Sequence, residues 1–304
     1  MEPMPKTLLV AADVDRSFHE SARKDPAFAV VHTPVRTEDE LAAIVGNAEV
    51  LVTRAYNRVT RRVIEAAPRL ELIAQGTSGI DNIDTDAARE QGIAIINLPG
   101  ANANAVAELV IGFILALTRT VPFYTREVSR GTFARDDCAT RHEMRHYQLG
   151  IVGLGQVGTR VARLARAFGM HVRAFDPYVT APECVETLQA LLAASDVLTL
   201  HVPLTSETRK MIGATEIASL KRGSFLINAS RGEVLDQQAA LQALANEHLA
   251  GLALDVFDPE PPAGGFPDDP RLILTPHIGG CSFECKADIG ALLYEKIAAF
   301  YTMR

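Results

Sequence analysis

The stretch Leu149-Gly150-Ile151-Val152-Gly153-Leu154-Gly155-Gln156-Val157-Gly158 decides the fold. Leu149 to Val152 reads as a short buried strand, and Val157 to Phe168 as a helix. Between them stands G-x-G-x-x-G. Alone that pattern is weak, but between a strand and a helix it is the turn on which a dinucleotide pyrophosphate rests. Gly153 makes the tight turn, Gly155 lets the backbone approach the phosphates, and Gly158 lets helix and strand pack closely. The helix start, with Gln156 and Val157, offers N–H groups and a positive dipole end to an anion. The next strand, His171 to Phe175, ends at Asp176, roughly 20 residues beyond the glycines. An acid there meets a ribose 2′-hydroxyl and repels a 2′-phosphate, and Pro177-Tyr178 brings no Arg to receive one. The spacing predicts NAD rather than NADP.

Outward from this turn the chain alternates strands and helices in two series. Before it, strands are expected at Thr7–Ala12, Ala27–His32, Glu49–Thr53, Leu70–Ala74 and Ile93–Asn97, with helices at Glu38–Val45 and Arg61–Ala67. A long apolar helix follows, about Ala103 to Arg119, then a basic, loop-like stretch from Arg126 to Gln148. After the turn come strands at Asp196–His201, Phe225–Asn228, Leu249–Leu254 and Leu272–Leu274, and a final amphipathic helix at Ala287–Tyr301. Such alternation implies α/β architecture with parallel sheets covered on both faces.

Composition narrows the classes. The 304 residues suit two ordinary domains. Hydrophobic residues at 48% and charged residues at 22% exclude extended disorder. A net charge of -7 without a basic stripe argues against a nucleic-acid partner. Cys138, Cys184, Cys281 and Cys285 are too scattered for a disulfide framework, so reduced thiols and a cytoplasmic location are expected. Cys281 and Cys285 follow His277, but a zinc set lacks its fourth ligand, so no metal is expected. Met1 to Val14 has no signal-peptide pattern. Ala105 to Leu117 contains Glu108 and is short for about 30 Å of hydrocarbon, so it reads as a buried helix and no membrane partner is expected.

With Gly150-Ile151-Val152-Gly153-Leu154-Gly155 and Phe175-Asp176-Pro177, the chain resembles the D-2-hydroxyacid dehydrogenase family. Gly79 to Asp84 is similar to its GxDNID loop, Asn102 to Glu108 to its helix start, and Ser195 to Thr208 to its mid-domain signature. Asn228 to Gly232, Asp255 to Pro261 and Thr275 to Gly280 resemble its three catalytic blocks. The likeness runs from about residue 50 to 285, and Asn102 to Arg119 looks most like phosphoglycerate dehydrogenase and hydroxypyruvate reductase members. The resemblance implies two Rossmann-like doubly wound parallel-sheet domains. A nucleotide domain, residues 100–277, would be inserted into a flavodoxin-like substrate domain made of residues 1–99 and 278–304. It also implies a homodimer, packed largely through the nucleotide domain and its long helix.

The implied reaction moves a hydride between NAD and a 2-hydroxy/2-oxo acid pair, such as 3-phosphoglycerate, glycerate/hydroxypyruvate or glyoxylate. Negative charge building on the carbonyl oxygen needs a cation, and the hydroxyl needs a proton donor. The family pattern puts these roles on Arg231, His277 and the Glu260 that orients the imidazole. Further cofactor contacts are implied at Val202, Pro203, Thr208, Ala229, Ser230, Asp255, Gly279 and Gly280, with Asp255 at the nicotinamide end. Substrate contacts are implied at Ser78 and Gly79, through backbone N–H groups, and at Arg54, Arg231 and His277. Taken singly, Arg231 could be a surface charge, Glu260 a solvated loop acid, and His277 a loop residue satisfying backbone. Their joint order in three blocks favours the functional reading.

Departures matter as well. The segment between Asp176 and Leu191 is short for the family, which trims the adenine side. Gln75 stands where phosphoglycerate dehydrogenases often carry Arg, leaving Arg54 as the candidate for a phosphate-bearing substrate. Formate dehydrogenases carry Gln in place of Glu260, which disfavours that activity. A different class, an NAD(H)-sensing corepressor with the same fold, would bind the nucleotide without turning over an acid.

Overall fold

A computed structural model describes residues 4–135 and 142–303 of the chain, so Cys138 lies outside the described residues. The chain divides into two compact units, Met1–Asn102 with Cys281–Arg304, and Ala103–Gly280.

The first unit opens with β1 (Lys6–Val10), α1 (Arg16–Lys24), β2 (Phe28–His32), α2 (Glu38–Ile44) and β3 (Val50–Thr53). It continues through α3 (Arg61–Glu65), β4 (Leu72–Gln75), α4 (Thr85–Glu90) and β5 (Ala94–Ile96). The strands form one parallel sheet in the order β2-β1-β3-β4-β5, the flavodoxin-like arrangement. β3 and β4 are buried at every residue, as strands covered on both faces must be. α2 starts at a capping box, in which Thr37 and Glu40 each accept from the other's backbone N–H. α1 has little sequence signal because only Phe18 and Ala22 are buried on an otherwise polar helix.

The second unit begins with α5 (Ala103–Thr118) and α6 (Val121–Ser129), then β6 (Gln148–Val152), α7 (Gln156–Ala167) and β7 (His171–Phe175). α8 (Leu188–Ala194), β8 (Val197–Leu200), α9 (Ala214–Ala218), β9 (Ser224–Asn228), α10 (Gln237–Ala245), β10 (Leu249–Leu254) and β11 (Leu272–Leu274) complete it. Its parallel sheet runs β11-β10-β9-β8-β6-β7, a doubly wound Rossmann-like order. The order reverses at β6, with β7 on one side and β8 on the other, so the glycine turn sits at the crevice where such sheets bind ligands. The short segment after Asp176 contributes one bridge, Ala174 to Cys184, beside β7.

Two expectations need correction. The loop-like reading from Arg126 is wrong at its start, because α6 continues to Ser129; Pro122 in its first turn favours initiation. The loop's residues 136–141 lie outside the described ones. The final helix, α11, spans Phe283–Thr302 and starts earlier than Ala287, because the Ser282 side chain caps it by accepting from Cys285 N. α11 packs against α1 so closely that a side chain at Gly290 would meet Ser17 Oγ at 2.5 Å. Ser17 Oγ donates to Ala287 O there, at 3.0 Å.

α5 is the core helix the apolar run suggested. Val106, Ala107, Val110, Phe113, Ile114 and Leu117 are buried in one cluster with Ile151 of β6 and Val161 of α7. Among the described residues no single helix is long and apolar enough to cross a membrane, and α5 and α6 are bent by 59° at their junction. Ile151 lies at the centre of that cluster, fully buried. Ile151→Ala should destabilise the chain by about 2–5 kcal/mol through lost contacts and the remaining cavity. A urea unfolding midpoint unchanged from the parent chain would contradict this placement of the core.

Candidate active site

The glycine turn has the geometry its sequence requires. Gly153 has φ +93°, and a Cβ there would meet the carbonyl carbon and oxygen of His201 at 2.8 Å. A Cβ on Gly158 would lie 2.1 Å from Gly153 O. By contrast, a Cβ on Gly155 would meet nothing within 4 Å. The turn is therefore tight beneath and open above Gly155, which caps the twelve-residue α7. That open cradle at a helix N-terminus fits a pyrophosphate.

Asp176 sits at the end of β7 beside this turn. Its Oδ2 accepts from Leu154 N at 2.8 Å and its Oδ1 from Tyr178 N at 2.9 Å, so the acid also shapes the turn. The loop after β8 carries Val202, Pro203 and Thr208. Thr208 Oγ1 donates to Pro203 O at 2.6 Å, and the backbone N–H of Thr205 donates to the same hydroxyl at 2.8 Å. His201 is half-buried with its Nδ1 shielded from solvent, and desolvation pushes its imidazole down to about 3, so it stays neutral.

Three loops beyond the same edge carry the expected catalytic residues. Arg231 follows β9, and its Nη1 donates to Ser230 O at 2.8 Å. The loop is pinned by Asn228, whose Nδ2 donates to Arg231 O at 2.9 Å and whose Oδ1 accepts from Ser230 N and Oγ. A side chain at Gly232 would lie 1.9 Å from Phe257 O, so this loop presses on the one after β10. Glu260 stands on that second loop, and His277 on the third, after β11.

His277 Nδ1 lies 2.5 Å from Glu260 Oε1. Partial burial raises the Glu260 carboxyl, but the hydrogen bond and charge of His277, the Phe257 backbone and the Arg231 charge outweigh it. The carboxyl ends below the ordinary carboxylate range, so Glu260 accepts and Nδ1 donates, leaving Nε2 to exchange a proton. A guanidinium, a carboxylate and an imidazole thus share one neighbourhood, which equips the edge to polarise a carbonyl and move a proton.

Asp255 and Asn228 hold more of this structure than motif reading suggests. Asp255 is 1% exposed, and its carboxylate accepts from Thr275 Oγ1 at 2.6 Å and from Ile278 N and Gly279 N, both at 2.8 Å. The motif reading gives Asn228 no role of its own, although a polar residue ending an apolar strand is a readable signal.

In the first unit, Ser78 Oγ donates to Leu98 O at 3.0 Å and is within 3.1 Å of Asn102 Oδ1. Gln75 is buried, and its Nε2 contacts Thr77 Oγ1, Gly79 O and Asn82 Oδ1. It braces the loop that carries Ser78 and Gly79. Arg54 is half-buried at the end of β3, with Nη1 3.4 Å from Asp13 O.

Residues 111–279 match the family of the D-isomer specific 2-hydroxyacid dehydrogenase, NAD binding domain. The D-3-phosphoglycerate dehydrogenase of Methanocaldococcus jannaschii is 38% identical over 273 residues, covering 86% of this chain and 51% of that one. A D-lactate dehydrogenase from Aquifex aeolicus, complexed with NAD and lactic acid, superposes with TM-score 0.86 at 30% identity, covering 98% of this chain and 96% of its own. A glyoxylate reductase from Paecilomyes thermophila gives TM-score 0.87 at 28% identity, with 97% and 95% covered. This chain belongs to the D-isomer specific 2-hydroxyacid dehydrogenase family, and its second unit is an NAD-binding domain. It spans about half the length of the first curated relatives it matches.

The lowered Glu260 carboxyl has a pH consequence. A carboxyl depressed on folding adds stability that is full above its unfolded value and is lost as pH falls through the folded one. The parent chain should therefore be more stable than Glu260→Gln at pH 6, with the gap closing below about pH 4. Urea midpoints at both pH values check this, and a gap that persists in acid would contradict the ionised pairing.

Proposed function

We propose that this chain is an NAD-dependent oxidoreductase interconverting D-2-hydroxy acids and 2-oxo acids. The observation that carries the reading is the short Glu260–His277 contact beside Arg231, on the sheet edge that bears the open glycine cradle. Bound NADH supplies the hydride. Arg231 clamps the substrate carboxylate and polarises the carbonyl, His277 donates the proton to the new hydroxyl through Nε2, and Glu260 holds the imidazole. In oxidation His277 takes that proton back.

The cofactor contacts in this reading are Gly153, Gly155, Gln156, Val157, Gly158 and Asp176 at the turn, with Val202, Pro203, Thr208, Ala229, Ser230, Gly279 and Gly280 on the loops. Ser78, Gly79 and Arg54 supply further substrate contacts. Candidate substrates are the pairs of 3-phosphoglycerate, of glycerate with hydroxypyruvate, and of glyoxylate. The names of the relatives support small 2-oxo acids as a class. The setting proposed is cytoplasmic, where thiols stay reduced.

Oxidation of NADH against glyoxylate, hydroxypyruvate, pyruvate, phenylpyruvate and 3-phosphohydroxypyruvate tests the activity. At least one should turn over, faster than with NADPH. His277→Ala should lower kcat by about 100- to 10,000-fold with NADH binding retained. Tight NADH binding without turnover of any acid would favour the nucleotide-sensing alternative instead.

We also propose a homodimer built on α5 and α6. A groove of about 1020 Å³ runs between them, lined by residues including Leu115, Ala116, Tyr124 and Val128. Val121, Phe123 and Val128 stand exposed along α6. Apolar faces of this kind mark association surfaces. Light scattering should give the mass of two chains, and of one chain after Phe123→Asp with Val128→Asp; a monomeric parent would contradict the proposal.

A further inference from the structure

We infer that Asn57 is the positioning residue of Arg54, clamping its backbone so that the guanidinium stands ready for a second anionic group on the substrate. The inference rests on the dehydrogenase reading for Arg54 as a substrate contact, and on the first unit alone for its geometry.

Arg54 follows β3 and opens a turn in which Asn57 N donates to Arg54 O at 2.9 Å. The Asn57 side chain folds back on the same residue, and its Oδ1 accepts from Arg54 N at 3.0 Å. Both backbone polar groups of Arg54 are thus held by one residue. Asn57 is itself anchored. Its Nδ2 donates to Ala11 O at 3.2 Å, just beyond β1, and to Val35 O at 3.0 Å, in the segment after β2. Its carbonyl accepts from Asn82 Nδ2 at 2.6 Å, and that amide also reaches Arg54 O at 3.2 Å. Asn57 is 2% exposed, so its carboxamide must find partners inside the fold, and each of its donors and acceptors has one. The ends of β1, β2 and β3 and the loop after β4 converge on one buried side chain, and Arg54 is what they fix.

The far end of Arg54 is arranged differently. Its guanidinium meets the backbone carbonyl of Asp13 at 3.4 Å and forms no ion pair among the described residues. The Asp13 carboxylate is engaged elsewhere: Arg36 Nη2 pairs with its Oδ2 at 2.5 Å, and the Arg36 guanidinium lies 4.2 Å over the Tyr56 ring. Tyr56, inside the turn, accepts through its hydroxyl from Asp13 N at 2.7 Å. Asp13 therefore presents Arg54 with a carbonyl and not with its carboxylate. A guanidinium fixed at its backbone and left without a carboxylate keeps its planar fork of donors for an incoming anion, whether phosphate or carboxylate.

The test uses the substrate to separate positioning from folding. Asn57→Ala should raise KM about tenfold for the acid with a second anionic group that the parent chain reduces, 3-phosphohydroxypyruvate or 2-oxoglutarate; which of the two it is tells phosphate from carboxylate. The kcat for that acid, the KM for glyoxylate, which has no second anionic group, and the NADH dissociation constant should each change by less than about twofold. In an Arg54→Ala background the same substitution should raise KM no further. An equal rise for glyoxylate, or a loss confined to kcat, would overturn the inference and leave Asn57 a purely structural residue. So would a parent chain that reduces glyoxylate but neither acid with a second anionic group. Hydrogen exchange of the parent chain carries the test if Asn57→Ala does not fold. Corrected for intrinsic rates, the Arg54 amide should exchange at least about 100-fold more slowly than that of its exposed neighbour Ala55, and equal rates would overturn the inference. If the parent chain turned over no acid, the dehydrogenase reading would fail, while the exchange ratio would still decide whether Asn57 holds Arg54.

Discussion

Two neighbouring strands of the six-stranded sheet end in buried polar side chains, and the loops that carry the chemistry hang from them. Asn228 closes β9, and Asp255 follows β10 beside it, linked by a backbone hydrogen bond of 2.9 Å. A buried carboxylate or carboxamide is tolerated only where partners meet it. Here the partners are the loops themselves: Asn228 binds the Ser230–Arg231 backbone, and Asp255 binds residues on both sides of His277. One requirement, that buried polar groups be satisfied, therefore also fixes where a guanidinium and an imidazole stand. Both belong to loops, yet each is tied to the sheet, which gives loop residues the precision of a rigid scaffold.

That arrangement follows from parallel strands. When every strand runs the same way, every carboxyl end falls on one edge, and the loops after β6, β8, β9, β10 and β11 gather there. The glycine turn adds the start of α7 to the same edge. Gly153 and Gly158 leave no room beneath the turn, while Gly155 leaves the backbone open above it. The core beneath is apolar and closely packed through α5, β6 and α7, so the polar edge rests on a base that resists movement. Glu260 completes the group. It is held ionised by its neighbours against the effect of its own burial.

Much of this was legible because periodicity and punctuation agreed. The strands at His171–Phe175, Leu249–Leu254 and Leu272–Leu274 are those the apolar runs marked. The glycine spacing carried its meaning because strand and helix flanked it. α1 was hidden because two buried residues on a nine-residue polar helix give almost no amphipathic signal. α11 begins a turn earlier than its apolar pattern because a serine cap, not hydrophobic spacing, sets its start. At the site, Arg231, Glu260 and His277 stood out through their motifs, whereas the holding roles of Asn228, Gln75 and Asp255 did not. A hydrogen bond between side chain and distant backbone leaves no periodic trace. The left-handed turn at His277 was likewise not legible, since positive φ is uncommon in any non-glycine residue and no motif marks it.

The central claim is that Arg231, Glu260 and His277 act on a 2-oxo acid held in one orientation against the nicotinamide, so that the hydride reaches one face of the carbonyl. The most direct measurement is the configuration of the product formed from NADH and hydroxypyruvate or pyruvate, resolved by chiral chromatography. The account predicts the D-hydroxy acid alone. A racemic product, or the L enantiomer, would contradict it.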